Sequence, residues 1–254
     1  MDPVKAKKHL GQHFLKDETI AERIVDAALS STQLPILEIG PGTGVLTKHL
    51  IEKENFFAID IDTESIEYLK KNYPQQQDKI LYGDFLELEI STLFPGKFSI
   101  IGNFPYNISS QIMFRVLDLR KQVDVVVGMF QKEVAERIAV KPGTKTYGIL
   151  SVLLQAYYDI DYLFTVEPGS FNPPPKVRSA IIRLQRNKTE KLDCDEALFK
   201  TIVKASFNQR RKMLRNSLRS FIKNESLLSN SFFTKRPEQL SVKDFIELTN
   251  LLSS

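Results

Sequence analysis

Up to about residue 160 the chain alternates short apolar runs with helical patterns, and no other feature narrows its possible folds as much. Pro35-Ile36-Leu37-Glu38-Ile39 reads as a buried strand stopped by Gly40, and Val45 to Lys53 as the helix after it. Phe56 to Ile59 is the next strand, with a helix over Ser65 to Asn72, and Lys79 to Tyr82 is a third. Phe98 to Ile101, ending at Asn103, is a fourth; Ser109 to Leu119 is helical, and Val123 to Met129 is a fifth strand. Short apolar strands separated by helices imply an α/β, doubly wound, mostly parallel sheet covered on both faces. Such sheets bind ligands outside the C-terminal ends of their strands.

The pattern then changes. Tyr162 to Val166 and Ser179 to Leu184 read as two closing strands, and Phe171-Asn172-Pro173-Pro174-Pro175 lies between them. Proline has no N–H to give a ladder, so this run predicts a fixed loop at the rim of the sheet. Arg186 to Asp195 is a linker, and from Glu196 onward the pattern is helical only. The predicted organisation is a domain over 1–186 with a basic N-terminal arm, then a small all-helical domain over 187–254. The single cysteine, Cys194, excludes an internal disulfide and fits a reducing compartment. No run approaches the ~18 apolar residues of a spanning helix. Met1 to Leu15 is broken by lysines and histidines and has no signal-peptide core. A cytoplasmic protein away from membranes is the expectation. No Cys/His cluster has metal-ligand spacing.

Gly40, Gly42 and Gly44 follow a strand and precede a helix, where glycine lets the backbone turn sharply and approach a ligand. Their spacing departs from the dinucleotide fingerprint, which counts against a phosphate site. Asp60 ends the next strand, where a carboxylate can accept both ribose hydroxyls. Asp84 ends the third and can accept from an adenine amine. A sulfonium nucleoside carries no phosphate and suits such an acidic site. Three strand ends in this order resemble the class I (Rossmann-like) S-adenosylmethionine-dependent methyltransferases.

Asn103-Phe104-Pro105-Tyr106 sits at the end of the fourth strand, facing the same crevice. The lone pair of an adenine amine is delocalised into the ring. Two acceptors, the Asn103 side-chain oxygen and the Phe104 carbonyl, can hold its two N–H groups and aim that lone pair at a methyl group. Pro105 stiffens the turn and Tyr106 can stack on the base. Phe171, held by the proline run, is a candidate second wall. Asn107 or Ser109 can cap the following helix.

These segments, together with Lys8 to Leu15, Gln131 to Val134, Phe171 to Lys176 and Phe207 to Lys212, resemble the ribosomal RNA adenine dimethyltransferase family from about residue 5 to residue 220. The likeness is greatest to its bacterial small-subunit branch. The resemblance implies S-adenosylmethionine as cofactor, held by His13, Leu15, Gly40, Asp60, Asp84 and Asn103. It implies two methyl transfers to each of two adjacent adenines in a 3′-terminal hairpin loop, within an immature ribosomal small subunit. This chain has His13 where the family often has Asn, Asp60 where Glu is common, and Phe104 where Leu or Ile is common; none of these exchanges removes the chemistry. Nothing in the sequence demands a dimer, so a monomer is expected.

The net charge is only +4, but its distribution is informative. Between Ala197 and Asn224 there are eight lysines or arginines and no acid. Read as one helix, Phe207 to Lys223 would set Phe207, Leu214, Leu218 and Phe221 on one face, with a basic flank suited to phosphates. Arg210, Arg211, Lys212, Arg215 and Arg219 are the RNA-binding candidates. The Lys5, Lys7, Lys8 tail is expected to be a mobile second contact that orders over cofactor or RNA. Three other readings compete: a large-subunit rRNA adenine methylase conferring antibiotic resistance, a DNA adenine methylase, and a non-catalytic assembly factor that kept the fold.

Overall fold

The computed structural model describes residues 4–253. Its strands are β1 (Phe14–Leu15), β2 (Ile36–Ile39), β3 (Phe56–Asp60), β4 (Ile80–Tyr82), β5 (Phe98–Asn103), β6 (Val123–Gln131), β7 (Tyr158–Val166), β8 (Phe171–Asn172) and β9 (Ser179–Arg186). Seven of them form one sheet in the order β4-β3-β2-β5-β6-β9-β7. The pairs from β4 across to β6 are parallel, and β9 runs antiparallel to β6. Strand order reverses direction at β2, which pairs with β3 on one side and β5 on the other. A crevice opens outside the strand ends at such a switch point.

The helices explain why the strands read as continuous apolar runs. Helix α1 (Glu18–Leu29) starts at Asp17, whose side chain accepts from the Ile20 N–H at 3.3 Å. It buries Ala21, Ile24, Val25 and Ala28, one face of a 3.6-residue period. Every residue of β2 is buried, as covering both faces requires. Helix α2 (Thr47–Leu50) is shorter than the Val45 to Lys53 expectation. The His49 N–H turns to the Leu46 carbonyl, an i→i−3 bond that leaves little regular α-helix. Helices α3 (Thr63–Asn72) and α4 (Ser109–Asp118) follow as the spacing predicts. Neither Asn107 nor Ser109 caps α4; its N-cap is Ile108, without a side-chain bond. Helix α5 (Lys132–Ala139) follows β6, and α6 is Ile149–Gln155.

The remaining strands form a separate two-stranded ladder. β1 pairs antiparallel with β8, Phe14 opposite Asn172 and Leu15 opposite Phe171. The N-terminal arm is thereby fastened to the proline-rich loop.

By contact the chain divides into two units. The first runs to Ala135 and resumes over Ile160–Arg186; the second holds Glu136–Asp159 and everything from Asn187. The boundary after Arg186 matches the sequence reading, but 136–159 groups with the helical unit instead of the sheet. The reason lies in α6, which buries Leu150 to Leu154 without a polar face and packs on helices of the second unit. Those are α7 (Glu196–Asn208), capped by Asp195, and α9 (Val242–Ser253); α8 (Leu214–Ser217) lies between them in sequence.

Candidate active site at the strand ends

Four strand ends supply one cleft. Gly40 and Gly42 follow β2, Asp60 ends β3, Asp84 follows β4 and Asn103 ends β5; all line the same opening. Gly40 and Gly42 have φ of +68° and +55°. At Gly42 there is also no room for a side chain, because a Cβ would lie 2.8 Å from the Phe14 ring. The Asp60 carboxylate accepts from the N–H groups of Gly42 (3.3 Å) and Asp62 (3.0 Å). Burial pushes its carboxyl above the usual value, and those backbone bonds only partly offset this. Asp84 accepts from the Leu86 N–H at 2.8 Å, which fixes the turn that follows it.

The Asn103 amide faces this cleft, and its nitrogen donates to the His13 carbonyl at 2.8 Å. That bond leaves the side-chain oxygen as the free acceptor. Phe104 turns its ring inward, 1% exposed, against Phe130 at 5.1 Å. Two glycines make room for it. Gly102 on β5 and Gly128 on β6 are register partners, and a Cβ on either would fall within 2.7 Å of the ring. The Tyr106 ring lies against His13, centroids 5.4 Å apart, and its hydroxyl is 2.5 Å from Ser179 Oγ. His13 Nδ1 in turn meets the Pro173 carbonyl at 2.8 Å.

Two candidates are not brought into the cleft. Phe171 is 1% exposed and packs in the core with Leu15, Val166 and Ile181, so it is not a wall for a base. Pairing with Leu15 turns both side chains to the same buried side of the β1–β8 ladder, and the adjacent Asn172 faces out. Leu15 itself is 2% exposed, and any contact it makes with a cofactor must come from its backbone.

Conversely, the cleft contains residues the sequence reading passed over. Ile61 is 48% exposed directly after Asp60, and Leu86 follows Asp84 by two positions. They offer apolar surface beside the two acids. An apolar residue beyond a strand-ending acid was the available signal. Gln12 also lines the cleft.

A nucleoside sulfonium fits these residues. No lysine or arginine lines the cleft among the described residues, the acids face it, and the glycines keep the backbone open to a ligand. The sequence model of the family described as ribosomal RNA adenine dimethylase matches residues 4–253. The chain belongs to the ribosomal RNA adenine dimethylase family. Its cofactor is S-adenosylmethionine, the methyl donor of the family. Among curated relatives, this dimethylase is 57% identical to ribosomal RNA small subunit methyltransferase A of Cytophaga hutchinsonii, covering 100% of this chain and 99% of that one. It is 56% identical to the protein of the same name from Flavobacterium johnsoniae, over 100% and 98% of the two chains. Among solved structures it resembles a dimethyladenosine transferase from Plasmodium falciparum (TM-score 0.78, 27% identity, 93% and 96% covered). It also resembles the 23S rRNA methyltransferase ErmE (TM-score 0.67, 26% identity, 93% and 99% covered).

The basic segment of the dimethylase is not one helix. Helix α7 ends at Asn208, Gln209 leaves the helical region at φ −122°, and Met213 is extended at ψ 152° before α8 begins. Tertiary bonds account for the break. The Leu214 N–H donates to the Lys235 carbonyl at 2.9 Å, not to the preceding turn. The Arg210 guanidinium donates to the carbonyls of Lys145 and Tyr147, which ties it to the protein. Arg219 pairs with Glu225. Arg211, Lys212 and Arg215 are exposed. In the arm, Lys7 is also committed, to Asp62 at 2.5 Å and Glu64 at 3.1 Å, whereas Lys5 and Lys8 are exposed. The expected mobile tail is therefore tied down at Lys7.

Proposed function

We propose that this dimethylase transfers methyl groups to the exocyclic amines of two adjacent adenines in the 3′-terminal hairpin loop of small-subunit rRNA, acting as a cytoplasmic monomer on an immature small subunit. The observation that carries the chemistry is the Asn103 amide, whose nitrogen is bound to His13 and whose oxygen is left as acceptor in the cleft with Gly40 and Asp60. The choice of small-subunit RNA is supported by relatives above 50% identity over nearly full length that carry the small-subunit name.

The bound cofactor supplies an electrophilic methyl on a cationic sulfur. Asp60 would accept the ribose hydroxyls of that cofactor and Asp84 its adenine amine, with Ile61 and Leu86 offering apolar surface to the base. The Asn103 oxygen and the Phe104 carbonyl accept the two N–H groups of the target amine. This turns its lone pair out of the ring plane and toward the methyl. No base is needed before the transfer, because the amine proton leaves once nitrogen has become cationic. Positioning supplies most of the rate. Tyr106 stacks on one face of the extruded base.

The RNA strand reaches this cleft along the hollow between the arm and the proline-rich loop. Lys8 and Lys176 stand on it, and Val177 is 46% exposed beside them. Arg211, Lys212 and Arg215 bind phosphates further along the RNA.

The test is to map methylated adenines in cells with and without the protein, and to supply the purified enzyme with labelled cofactor and immature small subunits. Label in two neighbouring small-subunit adenines is expected. A single modified adenine in large-subunit RNA would replace this reading with the resistance methylase. Intact cofactor binding without incorporation, with full cellular function in an Asn103→Ala variant, would replace it with a non-catalytic assembly role.

A further inference from the structure

Asp62 stands two residues beyond the acid assigned to the ribose, and its side chain is fully buried. Four donors converge on it: Lys7 Nζ at 2.5 Å, Gln12 Nε2 at 2.8 Å, Ser65 Oγ at 3.1 Å and the Glu64 N–H at 3.1 Å. The last two belong to the start of α3, where Asp62 is the N-cap. A cap needs neither Lys7 nor Gln12, which come from the N-terminal arm 55 and 50 positions away. Burial opposes ionisation of Asp62, but the bonds from Gln12, Lys7 and Ser65 outweigh it and hold the carboxyl below its ordinary value. It is therefore an anion at neutral pH, a strong acceptor for both arm side chains.

Gln12 uses both ends of its amide. Its nitrogen holds Asp62, and its oxygen accepts the Lys7 N–H at 2.8 Å, closing the turn over residues 7–12. The next residue presents the carbonyl that receives Asn103. Gly11, at φ +67°, lets the arm pass close over the catalytic segment; a Cβ there would sit 2.6 Å from Asn107 Oδ1. Asn107 reaches back to the His9 carbonyl at 3.3 Å. The arm thus meets the Asn103–Asn107 segment at two carbonyls, on either side of Gln12.

A primary amide is nearly symmetric in shape, and nothing in its volume decides which end faces the substrate. The His13 carbonyl decides it, because that oxygen tolerates a donor and repels an acceptor. Turned the other way, Asn103 would offer N–H to N–H, and the target amine would lose its acceptor.

We propose that Gln12, anchored on Asp62, is a positioning residue that places the His13 carbonyl so that Asn103 presents its oxygen to the target amine. This rests on the reading of Asn103 given above. The same clasp explains why Lys7 is drawn from the basic tail into an ion pair instead of lying free for RNA.

The experiment compares Gln12→Met and Lys7→Met in the full chain. Methionine keeps the length of either side chain and removes its hydrogen bonds, and Lys7 does not line the cleft, so it tests the clasp if Gln12→Met does not fold. For Gln12→Met, kcat for methyl transfer falls roughly ten- to a hundredfold, the cost of misaligning a reacting pair. KM for RNA and calorimetric affinity for S-adenosylmethionine stay near those of the parent. Lys7→Met moves kcat the same way by a smaller factor. In ¹H–¹⁵N spectra of the cofactor complex, the Asn103 side-chain resonances, assigned by their disappearance in Asn103→Ala, lose the protection that the His13 bond confers. Unchanged Asn103 resonances together with weakened cofactor binding would overturn the proposal and make Gln12 a cofactor contact. Unchanged kcat in both variants would overturn it outright. Full activity of Asn103→Ala would instead remove the underlying reading of Asn103.

Discussion

Tyr106 shows how one side chain is held in place for a flat substrate. Its ring is fixed by His13 on one side and by the hydroxyl contact to Ser179 at the tip. Burial raises its pKa above the usual phenol value, with the Ser179 bond opposing, so the hydroxyl stays protonated through the working pH range. It contributes hydrogen bonding and surface, not charge. Tyr106→Phe keeps the ring and loses only the tip contact, so its kcat/KM for RNA is expected within a few-fold of the parent. Tyr106→Ala loses the stacking face, which is worth about 1–3 kcal/mol per base. It should raise KM for RNA by roughly ten- to a hundredfold while cofactor affinity stays unchanged. Steady-state kinetics with an RNA hairpin, alongside calorimetry with cofactor, checks both. Equal losses in the two variants would mean that the Ser179 contact matters more than the ring. At this scale the sequence was informative about where Asn103, Asp60 and Asp84 lie, because the ends of parallel strands open on one crevice. It misled on Phe171, because which face of a two-residue strand points inward depends on its partner, and β1 lies far away in sequence.

Among the elements, β5 and β6 illustrate how a sheet can be hollowed to seat a catalytic turn. Gly102 and Gly128 face each other across the ladder, and the Phe104 ring fills the space that their missing side chains leave. Gly128→Ala would put a methyl 2.1 Å from that ring. Overpacking of this kind costs about 1–3 kcal/mol. Because the ring belongs to the turn that carries the Phe104 carbonyl, kcat should fall along with Tm. Phe104→Leu in the same chain should recover part of both, and failure to recover either would mean that the ring is not what the methyl displaces. The broken basic segment gives a second prediction at this scale. Lys212 and Arg215 flank the extended Met213, and if each neutralises one phosphate, replacing both with Ala should reduce the slope of log K for RNA against log salt by about two. Binding isotherms at several salt concentrations measure it, and an unchanged slope would place the RNA elsewhere. The alternation of apolar and charged residues over 207–223 could not reveal the break, because the competing acceptor at Lys235 comes from a later segment.

For the whole molecule, the most consequential buried titratable group is Glu38, on the interior strand β2. It is 1% exposed and accepts from Thr47 Oγ1 at 2.8 Å. Burial pushes its carboxyl up from 4.5 to about 8, with the Thr47 bond opposing and Asp60 adding to the rise. The folded chain therefore holds this proton more tightly than the unfolded one. The stabilisation is complete below pH 4.5 and is lost progressively as pH rises toward 8. Each tenfold change in proton affinity is worth about 1.4 kcal/mol, so the loss reaches several kcal/mol. Between pH 5 and 8.5 the parent should lose Tm relative to Glu38→Gln, which can accept from Thr47 and does not titrate. Parallel Tm curves would show that Glu38 is not the titrating group. The succession of strands and helices and the mostly parallel, doubly wound class were legible from sequence, because strands covered on both faces read as short continuous apolar runs, whereas the spatial order of the strands emerges only from their pairing. The division into units was not, since the apolar α6 can serve either core and only its partners, α7 and α9, decide. One pairing links the two ends of the sheet domain. Phe14 and Leu15 find their partners only at Asn172 and Phe171. During synthesis the arm therefore emerges long before β8 and must wait until the domain is nearly complete before it can latch. A nascent chain that stops short of the proline-rich loop already possesses the acids and glycines of the cleft, yet has no roof over them. Such a truncated product would have nothing at β8 to hold its leading segment across the opening.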